Sequence, residues 1–300
     1  MIYTLTLSPS IDYYVLLDNL KIGKINRSKT EYLRVGGKGI NVSKVLKELD
    51  IESIPVLLTA GFTKDKILED LNNHKFNYYN IEVNGINRIN VKIQAEEETA
   101  INTNGLFIND SHIDLIVDYL KRLTKDDYLV ISGSIPSGVR RDVYEYIISK
   151  LDYENLNIIV DAEKDLLLNT LKYKPFLVKP NKEELEQLCN KKLKSINDIY
   201  NEGCKLIKLG AKNVIVSLGE MGLLYISSSL EKIYLPSIDV NVISTVGAGD
   251  SLIAGFLAGH SLNKETIDCL KLGLASACAT VESAYLARKN DINRKLKLIK

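Results

Sequence analysis

Tryptophan is absent from this 300-residue chain, histidine occurs three times and cysteine four times. The histidines, His74, His112 and His260, are scattered. They give a zinc hydrolase or a serine–histidine triad little to work with. Cys189, Cys204, Cys269 and Cys278 match no zinc or redox spacing. They are expected as reduced thiols of a cytoplasmic protein, because no basic run precedes an apolar signal segment at the N-terminus. No apolar run approaches the ~18 residues of a membrane span, so no membrane partner is expected. Charge of one sign is also missing: 39 Lys and Arg face 38 Asp and Glu, for a net +1. Nothing in that balance favours nucleic acid. Phenylalanine is scarce, and the 16 tyrosines must supply most of the aromatic packing. Two nucleotide signatures are absent as well. The glycine spacing is wrong for the dinucleotide fingerprint, and no Gly-Lys-Ser/Thr triplet makes a Walker loop.

What is present is an alternation of strand-like and helix-like segments. Ile2–Leu7, Ser53–Thr59, Tyr128–Ser132, Asn157–Asp161, Phe176–Val178 and Asn213–Ser217 read as strands. Ile40–Leu49, Lys64–Asn72, Arg141–Leu151, Glu163–Leu171, Lys182–Cys189, Ile196–Leu209, Gly249–Gly259 and Lys264–Tyr285 read as helices. Continuous apolar strands between helices predict a mostly parallel sheet covered on both faces, with ligands beyond the strands' carboxyl ends. Arg88–Gln94 departs from this pattern by strict alternation. Arg88, Asn90, Lys92 and Gln94 share one face, and Ile89, Val91 and Ile93 the other. This predicts a strand of a separate small sheet, polar towards a ligand and apolar towards a partner. Tyr13–Leu17 and Glu31–Val35 are candidates to join it. With no linker or repeat in the chain, residues 1–300 read as one domain, with lid strands inserted at about 12–35 and 88–102.

The richest segment is Thr245-Val246-Gly247-Ala248-Gly249-Asp250-Ser251. A glycine-rich helix start offers unpaired N–H groups and a dipole's positive end, which make an anion site. Asp250 beside it supplies a base, the pair that phosphoryl transfer needs. An ordinary helix start, capped by Asp250, is the alternative. Gly36-Gly37-Lys38-Gly39-Ile40-Asn41 brings a backbone that can approach a ligand, a cation and an amide, or only a tight turn. Ser132-Gly133-Ser134-Ile135-Pro136-Ser137-Gly138 follows a strand, as a ligand rim or a plain loop. Asn181 and Glu184, after Lys179-Pro180, can orient magnesium-bound water or form a capping box, and both can hold together. Ser217-Leu218-Gly219-Glu220-Met221-Gly222 fits a ligand turn and a hairpin equally well.

Taken in order, these motifs resemble the ribokinase-like carbohydrate kinases of the phosphofructokinase B family over nearly the whole chain. Within it, the residues Arg88–Lys92, Ser132–Gly138 and Ser244–Ser251 are most similar to the bacterial kinases that act on fructose 1-phosphate. Ser8 departs from the usual Asn before Pro9, while Asp12 is retained; Ile135 stands where leucine is usual. The resemblance implies a three-layer α/β/α fold with a small β-sheet lid. It implies transfer of the γ-phosphoryl group of ATP, with Mg²⁺, to C6 of fructose 1-phosphate, giving fructose 1,6-bisphosphate. Tagatose 6-phosphate and fructose 6-phosphate are alternative substrates, and a non-catalytic sugar-phosphate sensor is an alternative of another class.

The same resemblance assigns Asp250 as base and the amides of Gly247, Ala248 and Gly249 as the phosphoryl cradle. The helix dipole is expected to favour the ionised aspartate. Asp12 and Asn41 fall to the sugar hydroxyls, Arg27, Lys38 and Arg88 to the sugar's phosphate, and Gly37 and Ser134 to the substrate as a whole. Lys179, Asn181, Ser217, Gly219, Glu220, Met221, Gly222 and Gly249 fall to the nucleotide. Asn181 and Glu184 would orient the metal through water. A homodimer joined through the lid sheets is expected, since an exposed apolar sheet face invites pairing.

Overall fold

The structure is a computed structural model and describes residues 1–299. In chain order the strands are β1 (Ile2–Thr6), β2 (Ser10–Leu16), β3 (Thr30–Gly36), β4 (Ser53–Ala60), β5 (Tyr79–Val83), β6 (Arg88–Gln94), β7 (Glu98–Ile101), β8 (Tyr128–Ser132), β9 (Asn157–Asp161), β10 (Leu177–Val178), β11 (Asn213–Ser217), β12 (Leu223–Ser227) and β13 (Lys232–Leu235). The helices are α1 (Lys38–Glu48), α2 (Gly61–Asn73), α3 (Asp110–Leu120), α4 (Val143–Ser149), α5 (Lys164–Leu168), α6 (Lys182–Cys189), α7 (Ile196–Lys208), α8 (Ala248–Ser261), α9 (Thr266–Val281) and α10 (Lys289–Leu296).

Nine strands form the large sheet, in the order β13-β12-β11-β10-β9-β8-β1-β4-β5. It is parallel from β5 to β11 and closes with antiparallel β12 and β13. Its central strands are apolar on both faces because both are covered. Leu129, Ile131, Val160 and Val216 face one core, shared with α3, α4, α6 and α7. Val130, Ile159 and Ile215 face the other, shared with α1, α8 and α9. This alternation builds the three layers.

Four strands form the small sheet, in the order β3-β2-β6-β7. Their register aligns Leu33, Tyr13, Val91 and Ile101 in one row. Successive side chains point to opposite faces, so this row lies on the face opposite Asp12, Asn90 and Lys92. Leu33 is 48% and Ile101 54% exposed. The expected apolar face is therefore present but shorter than the alternation suggested. Ile89 packs inward, with Ile11 and Val35, against Ile67 and Leu71 of α2.

One boundary differs for a clear reason. The helical pattern runs to Tyr285, but α9 ends at Val281. The Ser283 hydroxyl takes the Tyr285 amide at 3.1 Å, and the Thr280 hydroxyl takes that of Ala287 at 3.1 Å. Side-chain oxygens thus replace the helical carbonyl partners and turn the chain into a loop.

Candidate active site

The carboxyl ends of β9, β10 and β11, the starts of α1 and α8 and the ligand-facing side of the lid enclose a cavity of about 780 Å³. Asp250 lies in its wall and is 5% exposed. Gly247 is the N-cap of α8, in the left-handed region at φ 81°, which glycine adopts without strain. A Cβ there would also lie 2.6 Å from Leu286 Cδ2. The turn thus sets the first-turn amides beside Asp250. The Ala248 N–H donates to the Thr245 carbonyl at 3.3 Å, a long bond, so this amide is not free as the sequence reading has it.

Asn41, from the first turn of α1, donates to Asp250 Oδ2 at 2.8 Å. Asp161 ends β9 with 1% exposure. It pairs with Lys38 Nζ at 3.1 Å and with Lys179 Nζ at 3.2 Å. Burial alone would raise the Asp161 pKa, but the two ammonium groups outweigh it and hold the carboxyl below its ordinary value. Burial lowers the Lys38 pKa, and Asp161 and Asp250 overcome that and raise it.

Asp250 shows the opposite balance. Burial first, then the charge of Asp161, push it up to about 6 against the pull of Lys38, Asn41 and Lys179. This corrects the dipole argument. Desolvation outweighs the helix end, and the outcome is a stronger base that is still mostly ionised at neutral pH. Just before it in the chain, Gly249 leaves room for a neighbour, with Lys179 Nζ 3.1 Å from the point where its Cβ would stand.

The lid supplies the facing wall. Asp12 accepts from Asn90 Nδ2 at 2.7 Å and from Ser10 Oγ at 3.1 Å. Arg88 enters from β6, and burial lowers its pKa against the opposing effect of Asp12. Lys38, Arg88 and Asp161 also line a second, smaller cavity of about 350 Å³ with Ser134. Thr6 Oγ1, Arg88 Nε and Ser132 Oγ line it too, buried and without hydrogen-bond partners among the described residues. The Tyr144 hydroxyl supports its rim by donating to the Gly133 carbonyl at 2.9 Å.

On the opposite side, Asn181, Glu184, Ser217, Gly219, Glu220 and Gly222 line the large cavity. Asn181 Oδ1 accepts the Glu184 amide, and Glu184 Oε2 accepts the Asn181 amide, each at 2.7 Å. The capping box is thus real, and the same two residues face the cavity.

Gly37 also lines this cavity. Two predicted residues lie apart from the others. Arg27 is exposed and lines neither cavity, because it lies on the strand-free stretch between β2 and β3. Met221 is 40% exposed outside the lining; its carbonyl accepts from the Tyr234 hydroxyl at 2.8 Å. Asp161 and Asn90 were missed. The available signals were an acidic residue at a strand's carboxyl end and a polar residue on the ligand-facing side of an alternating strand.

The sequence matches the family described as pfkB family carbohydrate kinase over residues 8–293. The chain belongs to that family. It is 36% identical to the 1-phosphofructokinase of Bacillus subtilis, covering 100% of this chain and 99% of the relative. It is 32% identical to the D-tagatose-1-phosphate kinase of Bacillus licheniformis, covering 98% and 97%. Among solved structures it is similar to phosphofructokinase-2 of Escherichia coli in complex with fructose-6-phosphate. That likeness has a TM-score of 0.92 and 26% identity, over 99% of this chain and 98% of the other. This chain is thus a carbohydrate kinase of ribokinase-like fold, as its motifs imply. The sensor alternative has no support, since the Asp250 carboxylate and the glycine turn before it are intact.

Proposed function

We propose that this kinase transfers the γ-phosphoryl group of ATP to the C6 hydroxyl of fructose 1-phosphate, giving fructose 1,6-bisphosphate. The observation that carries the reading is Asp250, buried at a helix start between a lid wall and a nucleotide wall, with its pKa raised to about 6. Its carboxylate accepts the C6 hydroxyl proton as that oxygen attacks phosphorus. A positioned base of this kind contributes roughly 10²–10⁴-fold. Asn41 fixes the carboxylate by holding its other oxygen. The Gly247 and Gly249 amides receive the transferring group, and the Ala248 amide joins them by giving up its long bond to Thr245.

Asp12 and Asn90 bind sugar hydroxyls, with Gly37 beside them. The 1-phosphate enters the smaller cavity, where Arg88, Lys38 and Ser134 supply charge and hydrogen bonds. An arginine fork suits phosphate oxygens. Lys179, Asn181, Ser217, Gly219, Glu220 and Gly222 serve the nucleotide.

Magnesium fits this site through water and phosphate. No three His, Cys, Asp or Glu side chains converge as a metal cage among the described residues. Asn181 Oδ1 and one Glu184 oxygen are committed to the helix cap. The second Glu184 oxygen remains for a hydrated ion. When bound, that ion neutralises phosphate charge.

The Bacillus licheniformis relative favours a second reading, D-tagatose 1-phosphate, which differs from fructose 1-phosphate at C4 alone. The test is coupled ADP release with Mg-ATP, comparing both 1-phosphates with tagatose 6-phosphate and fructose 6-phosphate at sub-saturating levels. The highest kcat/KM for fructose 1-phosphate is expected. A preference for either 6-phosphate would overturn the substrate reading and keep the base. We also propose a homodimer through the Leu33–Tyr13–Val91–Ile101 row, working in the cytoplasm.

A further inference from the structure

The lid is fastened to the body of the protein at a point that the proposed chemistry does not use. Arg34, on β3, carries its guanidinium 4.9 Å from the Tyr14 ring centre, 4.6 Å from that of Tyr32 and 4.9 Å from that of Tyr285. Tyr14 and Tyr32 belong to the lid and stack on each other at 4.8 Å. Tyr285 belongs to the loop after α9, and Arg34 Nη1 donates to the carbonyl of Ala284 in that loop. A second bond line runs beside the first. The Tyr285 hydroxyl donates to the Val35 carbonyl at 3.2 Å and accepts from Lys44 Nζ at 2.6 Å. Lys44, 4% exposed, is itself held by Asp70 at 2.7 Å.

The far side of this loop touches the catalytic helix. Leu286 fills the space beside Gly247. Thr280 Oγ1 bonds both Ser251 Oγ, at 2.7 Å, and the Ala287 amide. On the lid side, Arg34 is the register partner of Asp12. An unbroken set of contacts therefore leads from the sugar-facing carboxylate, through the guanidinium and the loop, to the turn before Asp250.

We propose that Arg34 is a positioning residue that fixes the lid against the start of α8, so that Asp12 and Asn90 stand opposite Asp250. Arginine suits the task because one planar group can stack on rings and donate in its own plane. This inference rests on the sugar-phosphate reading above. Coupling through this link is measured as an effect at both of its ends.

The test uses the full chain with Arg34→Met, Arg34→Lys and Tyr285→Phe. Three quantities are measured: steady-state kinetics, ADP released per sugar phosphorylated, and amide hydrogen exchange over residues 244–251 and 281–287. For Arg34→Met, kcat should fall roughly 10–100-fold, the scale of lost positioning. The KM for Mg-ATP should stay within about twofold, because uniform nucleotide binding is untouched. ADP release should exceed sugar phosphorylated as water gains entry. Exchange should quicken in both segments. Arg34→Lys should restore only part of the loss, and Tyr285→Phe, which keeps the ring, should cost less than Arg34→Met. If Arg34→Met does not fold, the other two variants carry the test.

Unchanged kcat and unchanged exchange in segment 244–251 would overturn the proposal. A wild-type chain that turns over none of the sugar phosphates would overturn the functional reading instead. The exchange comparison would then still decide whether lid and helix are coupled.

Discussion

The two walls of the cavity hold their functional groups by different means. On the body side, each group sits at the end of a strand or helix whose backbone is locked in a core. Asp161 ends β9, Lys179 follows β10, and Asn181 and Glu184 cap α6. On the lid side, Asp12, Arg88 and Asn90 ride on a separate four-stranded sheet that packs on the body through Ile11, Val35 and Ile89. The body wall can therefore keep charges buried and close together in fixed places. The lid wall stands on a sheet of its own, and its placement depends on what anchors it. Charge change should thus dominate substitutions in the body wall, while affinity and alignment should dominate those in the lid.

The sharpest break is Asp250→Asn. Turnover should fall by roughly 10²–10⁴-fold while ATP binding changes little. Isothermal titration beside single-turnover kinetics measures both, and a mild loss of rate would mean that another group is the base. The same variant should be more stable than the parent. Because the folded pKa of Asp250 is raised to about 6, the parent loses stability as pH climbs from about 4 to about 6. Asparagine carries no such cost. Denaturant titration at pH 8 should show a gain of up to about 2–3 kcal/mol, shrinking towards zero near pH 4.

Asp161→Asn tests the same wall from its other carboxylate. It leaves Lys38 and Lys179 without their shared anion, and breaking a buried pair costs about 3–5 kcal/mol. It also removes a charge that raises Asp250. In the parent, kcat/KM should fall below about pH 6 as Asp250 takes a proton, and in this variant that limb should move to lower pH. A limb that stays in place would separate the rate profile from Asp250.

The lid wall should respond differently. Arg88→Ala should raise the KM for the phosphorylated sugar by roughly 10–100-fold, as loss of a buried charged hydrogen-bond donor suggests, and hardly move that for ATP. A rise confined to the ATP KM would reverse the two ends of the site. The smallest effect on chemistry is expected from Val91→Asp, on the lid's outer row. It should shift the mass seen by light scattering from dimer to monomer at micromolar concentration. An unchanged mass would remove the clasp.

Much of the body wall was legible in the sequence because its signals are local. A glycine turn, a capping box and an apolar strand each need only a few neighbouring residues. The strand Arg88–Gln94 was legible too, since alternation fixes which side chains share a face. Asp161 was hidden because an aspartate ending a strand looks like any other until two lysines, 123 and 18 residues away in sequence, converge on it. The raised pKa of Asp250 was misjudged for the same reason, as its burial is a property of the whole enclosure. Met221 was carried by its neighbours in a motif and Arg27 by the family resemblance alone, and in the fold their side chains lie outside the lining. The loop after α9 was read as helix because its apolar pattern continues, whereas two hydroxyl groups redirect its amides.

Gly249 has a consequence of another kind. The ammonium of Lys179 stands 3.1 Å from the point where a methyl group on that glycine would be. An alanine there adds no charge and removes none, yet it would displace by a few tenths of an ångström a positive charge that acts on Asp250. At this position, size is converted into electric field. A neutral methyl thus becomes a fine adjustment of the potential felt by the Asp250 carboxylate.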